Sequence, residues 1–240
     1  MSQRQLWEIS SNTNPGEKVN AHQKIRKFIS RYAKPAGLFL IGVLILFIAV
    51  EIYNFAKDKQ VEKATVAIED IQDRFAEAVK ALGDEKPTLD KCQSYIDELD
   101  VVYKKYPKEY AGLRALFMKA DIFYTVKDFD KAVSCYKEFA EKYPKSYDAP
   151  IAIFNTGACY EELGKLKEAE AEYLNVLNNY AGRYAFMPKL IFSLGRVCEL
   201  SQRYADAEKY YNQLADKYSG SNYYLYAQDR IILMKAKGQL

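Results

Sequence analysis

Histidine is almost missing from this chain: His22 is the only one in 240 residues. A single histidine excludes multi-histidine metal sites and argues against the usual acid–base triads. Cysteine is sparse as well. Cys92, Cys135, Cys159 and Cys198 never form a C-x-x-C pair, and four are too few for a disulfide-framework miniprotein. Each sits on an expected helix, where it reads as a small buried hydrophobe. In an oxidising compartment a disulfide is open to them, but spacing alone pairs none. Neither sign of charge dominates, since the net charge is only +3, so the chain is no polyelectrolyte for nucleic acid. There is no phosphate loop, G-x-G-x-x-G, nucleophile elbow or H-E-x-x-H. The many carboxylates, such as Glu161, Glu162, Glu168, Glu170 and Glu172, read as a solvated helical face. We therefore expect no enzyme, no cofactor and no metal site.

What is present is first a run without charge. Residues 35–50 read PAGLFLIGVLILFIAV, and Ile52, Tyr53 and Phe55 extend it past Glu51. Sixteen helical residues cover about 24 Å at 1.5 Å per residue. A bilayer core is roughly 30 Å thick, so the run spans it if Lys34 and Glu51 snorkel. Eleven of the sixteen are Leu, Ile, Val or Phe. At about −0.3 to −0.6 kcal/mol each they favour insertion by on the order of −4 kcal/mol. The run is apolar all round, unlike a helix with one buried stripe. It is preceded by 34 residues and followed by neither an A-x-A site nor a nearby cysteine, so an uncleaved anchor fits better than a signal peptide.

The flanks give an orientation. Residues 1–36 hold seven Lys or Arg against two Asp or Glu, a net of +5, which leaves 28 against 30 for the rest. The positive-inside rule then puts residues 1–34, a basic arm, in the cytoplasm and the C-terminal domain on the other side of an inner membrane. Residues 9–20, with Pro15 and Gly16, read as flexible. Residues 21–34 set Ile25, Phe28, Ile29 and Tyr32 on one stripe among basic residues. That suits either a helix lying on anionic lipid or an ordinary positive-inside stop signal. Trp7 fits an interface anchor or a docking residue. The lipid bilayer is thus one partner, through residues 35–56 and the basic flank.

The 21 tyrosines lead to the repeat. Tyr106-Pro107 and Tyr143-Pro144 lie 37 residues apart, and Tyr180 and Tyr218 continue the steps. Other columns keep the phase: Ala120, Gly157 and Gly195; Ala132, Ala169 and Ala207; Tyr136, Tyr173 and Tyr211; Phe129, Leu166 and Tyr204; Leu116, Ile153 and Ile191. Small residues let paired helices approach, and an aromatic four residues beyond the second one fills the gap to the next unit. The prolines stop helices. Residues 111–219 in this pattern resemble tetratricopeptide repeats, with a period of 37–38 instead of 34, and with Ala181 and Ser219 where the proline would stand. Such lengthened units are similar to those of bacterial envelope proteins, among them outer-membrane assembly lipoproteins and the ancillary subunit of the Sec translocon.

The expected fold is all-α, a single transmembrane helix followed by a tetratricopeptide-like helical-hairpin solenoid. The division is 1–34 cytoplasmic arm, 35–56 transmembrane helix, 57–110 helical hairpin, 111–220 three repeats and 221–240 a helix closing the stack. In the hairpin, Val61, Ala64, Ile68, Ile71, Phe75, Ala78 and Leu82 face Leu89, Cys92, Ile96, Leu99, Val102 and Tyr106 across a break at 83–88. A dimeric coiled coil over 61–82 is the other reading of that spacing. Residues 222–237 carry Tyr226, Ile231, Leu233 and Met234 into the closing helix.

The resemblance implies recognition along the face lined by the first helix of each unit. Carried over residue by residue, its groove positions are Phe117, Asp121 and Tyr124; Phe154, Ala158 and Glu161; and Phe192, Arg196 and Glu199. The three phenylalanines either hold an apolar or extended peptide or pack between helices. The basic residues near this face, Arg114, Lys189 and Arg196, are scattered, unlike a two-carboxylate clamp. The linker AGRYAFMP, 181–188, offers Tyr184, Phe186 and Met187 as a second contact, unless its rings fold back onto the stack. The function these features suggest is a non-catalytic, membrane-anchored adaptor for partner or client proteins on the extracytoplasmic side, chaperone-like at the translocon. The alternative is a scaffold subunit of a large envelope assembly for secretion or motility.

Overall fold

The computed structural model describes residues 15–83 and 85–240, with side chains from His22 onward. The described chain is helical throughout: α1 Pro15–Ala81, α2 Leu89–Lys105, α3 Tyr110–Thr125, α4 Phe129–Lys142, α5 Ala149–Glu162, α6 Leu166–Tyr180, α7 Met187–Leu200, α8 Tyr204–Tyr218 and α9 Asn222–Ala236. It forms two compact units, Met1–Gln60 and Val61–Leu240.

The first unit is helical from Pro15 onward, which corrects the flexible reading of residues 15–20. Proline is at home in the first helical turn, where its missing N–H has no partner to lose. Residues 9–14 and Trp7 lie outside the described residues. One helix here is long and apolar enough to cross a membrane. Along it Leu38, Phe39, Leu44, Phe47, Ile52 and Phe55 are all exposed, Phe39 by 71%. The described chain covers none of them, so this apolar surface needs a cover of another kind.

The second unit is a stack of antiparallel helix pairs. Ala64, Ile68 and Ile71 of α1 bury against Cys92, Ile96 and Leu99 of α2, so the 61–82 segment finds its partner within the chain. Helices α3 with α4, α5 with α6, and α7 with α8 make the repeating pairs, and each pair packs on the next. The small-residue columns explain the closeness. Ala120, Ala132, Ala169 and Ala207 are fully buried. A Cβ on Gly157 would meet the Tyr173 ring at 2.5 Å, and one on Gly195 the Tyr211 ring at 2.4 Å. The aromatic column thus lies directly on the glycine column.

Helix ends follow local chemistry. Before Pro107 and Pro144, Tyr106 and Tyr143 are forced out of the helical region, to φ −129° and φ −126°. Helices α2 and α4 therefore stop one residue short of the tyrosine. Where Ala181 and Ser219 replace proline, α6 and α8 include Tyr180 and Tyr218, and the next residue is still helical. Within each pair the turn is the same left-handed cap. Lys127, Gly164 and Gln202 have φ of 64°, 70° and 60°. The residue after each donates back to the fifth residue before it: Asp128 to Phe123, Lys165 to Tyr160 and Arg203 to Cys198.

Helix α9 packs on α8 and α7 through Ala227, Ile231 and Met234. Tyr226 and Leu233, expected on its packed face, are exposed instead, together with Leu225 and Ile232. The reason is helical phase: the residues at 227, 231 and 234 share one stripe, and 226 and 233 fall on the other side.

Candidate protein-binding groove

Helices α3, α5 and α7 line an open groove of about 660 Å³. Six of the nine residues expected on this face contribute to it: Asp121, Tyr124, Phe154, Ala158, Glu161 and Arg196. Thr125, Asn155, Glu162, Lys189 and Leu200 complete the rim, and the buried Ser193 with the rings of Tyr136 and Tyr173 forms part of the floor. A smaller hollow of about 290 Å³ lies between α4, α5 and α6.

The phenylalanine column departs from an open apolar track. Phe117 is only 8% exposed and stands edge-on to Tyr136 and Phe139, with ring centres at 5.6 and 5.2 Å. It lies outside the groove, packed against the second helix of its own pair. Phe154 is 3% exposed and packs on Tyr173 and Tyr184. It borders the groove, and Lys189 Nζ sits over its ring, 4.8 Å from the centre. Phe192 is half-buried among Tyr211, Tyr223 and Tyr226. The column is chiefly interhelical packing.

The linker also differs from a solvent-facing loop. Tyr184 is 5% exposed and stacks on Phe154 at 5.7 Å. Met187 is half-buried and begins α7, with Pro188 in the first turn. Of the three expected contacts only Phe186 faces solvent. Arg183 pins the linker back, donating to the carbonyls of Lys145 and Ser146 at 2.9 and 2.8 Å.

Under this face lies a polar device that the repeat pattern did not single out. The buried tyrosines of the second helices each donate their hydroxyl to a carboxylate of the first helix: Tyr136 to Asp121, Tyr173 to Glu161 and Tyr211 to Glu199. Glu161 also accepts from Arg196 Nη2 at 2.8 Å, and Glu199 from Arg230 Nε at 3.0 Å. A signal for this existed. In the second and third repeats the carboxylate stands four residues after the column glycine. In the first repeat the column residue is Ala120 and the acceptor moves to Asp121, one residue after it. Burial drives all three phenols far above their ordinary range, so they stay protonated and donate. Burial likewise raises the Asp121 carboxyl, against the lowering effect of the Tyr136 hydrogen bond.

Cys92, Cys135, Cys159 and Cys198 are buried and unpaired. No cluster of metal-ligating side chains occurs among the described residues.

Comparison with known proteins agrees with this geometry. A tetratricopeptide-repeat family model matches residues 117–184. A TPR repeat-containing protein of Treponema pallidum is 29% identical over 119 residues, 50% of this chain and 49% of that protein. The repeat region is a tetratricopeptide-like solenoid. The chain spans about half the length of that curated relative. Among solved structures, a tetratricopeptide repeat protein of Parabacteroides merdae superposes with a TM-score of 0.54 at 17% identity, over 72% of this chain and 60% of that one. Nearly identical TPR-like repeats from Podosopora anserina give 0.51 at 14% identity, over 69% and 85%. These likenesses concern the fold of the stack.

Proposed function

We propose that this protein is a non-catalytic, membrane-anchored adaptor that holds an extended segment of a partner protein along α3, α5 and α7. The observation that carries the reading is the 660 Å³ groove, which gathers Asp121, Tyr124, Phe154, Ala158, Glu161 and Arg196 from three successive repeats. Its mixed lining suits a polypeptide, whose main chain needs polar partners and whose side chains need rings and charges of both signs. Residues 35–56 cross the inner membrane, the basic flank stays in the cytoplasm, and the stack works outside it. The exposed apolar surface from Leu38 to Phe55 and the positive arm support that placement.

Two experiments test the reading. Cysteines introduced at the exposed positions Lys145 and Gly220 are expected to react with a membrane-impermeant maleimide added from outside, and one at Ser10 only after permeabilisation. The four native thiols are buried and add little background. The reverse pattern would overturn the orientation. Purification from membranes in mild detergent then separates client binding from a fixed scaffold role. A spread of substoichiometric polypeptides is the expected outcome, and a single partner at constant ratio would favour the envelope scaffold. The exposed Leu225, Ile232 and Leu233 on the outer side of α9 are the observation that favours this second reading.

A further inference from the structure

The tyrosine–carboxylate junction occurs three times, and its third member is missing once. Glu161 holds the Tyr173 hydroxyl and the Arg196 guanidinium. Glu199 holds the Tyr211 hydroxyl and the Arg230 guanidinium, the latter through both Nε and Nη2. Asp121 holds the Tyr136 hydroxyl, and no cation bonds to it among the described residues. Arg196 follows the column residue Gly195 directly; the residue that follows Gly157 is Ala158. Ala158, Asp121 and Tyr136 all border the groove, so the space a long side chain at 158 would take stands open. The nearby cations are engaged elsewhere. Arg114 donates to Gln72 at 2.9 Å and acts on Asp121 only through space, and Lys189 lies over Phe154.

We propose that this place receives the arginine side chain of a bound polypeptide, whose guanidinium bonds Asp121 as Arg196 bonds Glu161. The inference rests on the groove reading above and gives the partner segment a basic residue. A carboxylate has two oxygens and about four lone-pair sites, of which the Tyr136 hydroxyl takes one. A guanidinium supplies five N–H donors in a planar fork that meets a carboxylate two at a time, which an ammonium does not. The Tyr124 ring beside it offers a face on which a guanidinium stacks. Glu162, exposed at the rim, adds a negative field that draws the cation in. Burial holds the Asp121 carboxyl above the usual range, and a bound guanidinium would bring it down again.

The test uses the full chain in detergent and two fluorescent nonapeptides, otherwise neutral, with a central arginine or its uncharged isostere citrulline. Anisotropy is expected to show the arginine peptide bound about tenfold more tightly, the effect of one charge-assisted hydrogen-bond pair. That preference is expected to vanish in Asp121→Asn and in Ala158→Arg, where the chain's own guanidinium fills the place. Equal affinity of wild type for the two peptides would overturn the proposal, and so would a preference that survives Asp121→Asn. If both peptides bind equally well, the groove reading stands and only the arginine claim falls. If neither binds, the arginine claim falls, and crosslinking from the groove decides the broader reading separately.

Discussion

At the scale of the residue, the stack depends on a glycine and a tyrosine meeting face to face. Tyr173 and Tyr211 lie where a Cβ on Gly157 or Gly195 would be, and their hydroxyls reach Glu161 and Glu199. Gly157→Ala is expected to push the Tyr173 ring off its acceptor and lower stability by about 1–3 kcal/mol, the usual cost of overpacking. Denaturant unfolding of the variant checks it, with an unchanged slope. Tyr136→Phe is expected to cost about 1.5–3 kcal/mol, the range for a hydrogen bond to a charged group. It removes the one hydroxyl that Asp121 accepts from. Tyr173→Phe is expected to cost less than Tyr136→Phe, since Glu161 keeps Arg196 at 2.8 Å. The same unfolding curves report the order of the two. The tyrosine column was legible as packing from its spacing alone. Its hydroxyl partners were not, because a carboxylate four residues along a helix looks identical whether it meets solvent or a buried phenol.

At the scale of the element, each helix pair turns through one left-handed residue. Glycine holds that position in the second repeat, but Lys127 and Gln202 hold it in the first and third. A side chain in the left-handed region costs roughly 1–2 kcal/mol that glycine avoids, less its extra freedom when unfolded. Lys127→Gly and Gln202→Gly are therefore each expected to raise the unfolding free energy by up to about 1 kcal/mol. Gly164→Ala is expected to lower it by a similar amount. Parallel thermal melts measure all three. Helix number and order followed from the 37–38-residue columns, while helix ends followed only where proline marks them. Tyr106 and Tyr143 stop α2 and α4, but nothing local announced that α6 and α8 would keep Tyr180 and Tyr218. The linker 181–188 stayed open between two readings for a related reason. An aromatic-rich loop reads as exposed until Phe154, 30 residues earlier, supplies a ring for Tyr184 to stack on.

At the scale of the whole molecule, the second unit keeps its buried thiols and phenols neutral. Burial pushes Cys135 up to about 11 and Cys159 up to about 12, from an ordinary 9.0. It raises Tyr136, Tyr173, Tyr184 and Tyr211 well above 10.0. Folded-state values above the unfolded ones mean that these groups add stability below about pH 9, and that this stability drains away as pH rises. The denaturant midpoint is accordingly expected to be flat on this account up to about pH 9 and to fall steeply between about 9 and 12. Phenolate absorbance from these four rings is expected to rise only with unfolding, after that of exposed tyrosines such as Tyr110 and Tyr147. An early absorbance rise from these four rings in the folded chain would contradict their burial.

If the groove between α3, α5 and α7 holds a polypeptide, photo-crosslinking in intact membranes captures it. Photoreactive residues belong at Asn155 and Ala158, which line the groove, because Phe117 and Phe154 are buried, with the exposed Lys167 on α6 as the control. Polypeptide adducts from positions 155 and 158 are expected well above those from 167. Equal or absent capture at all three positions would contradict polypeptide binding in the groove.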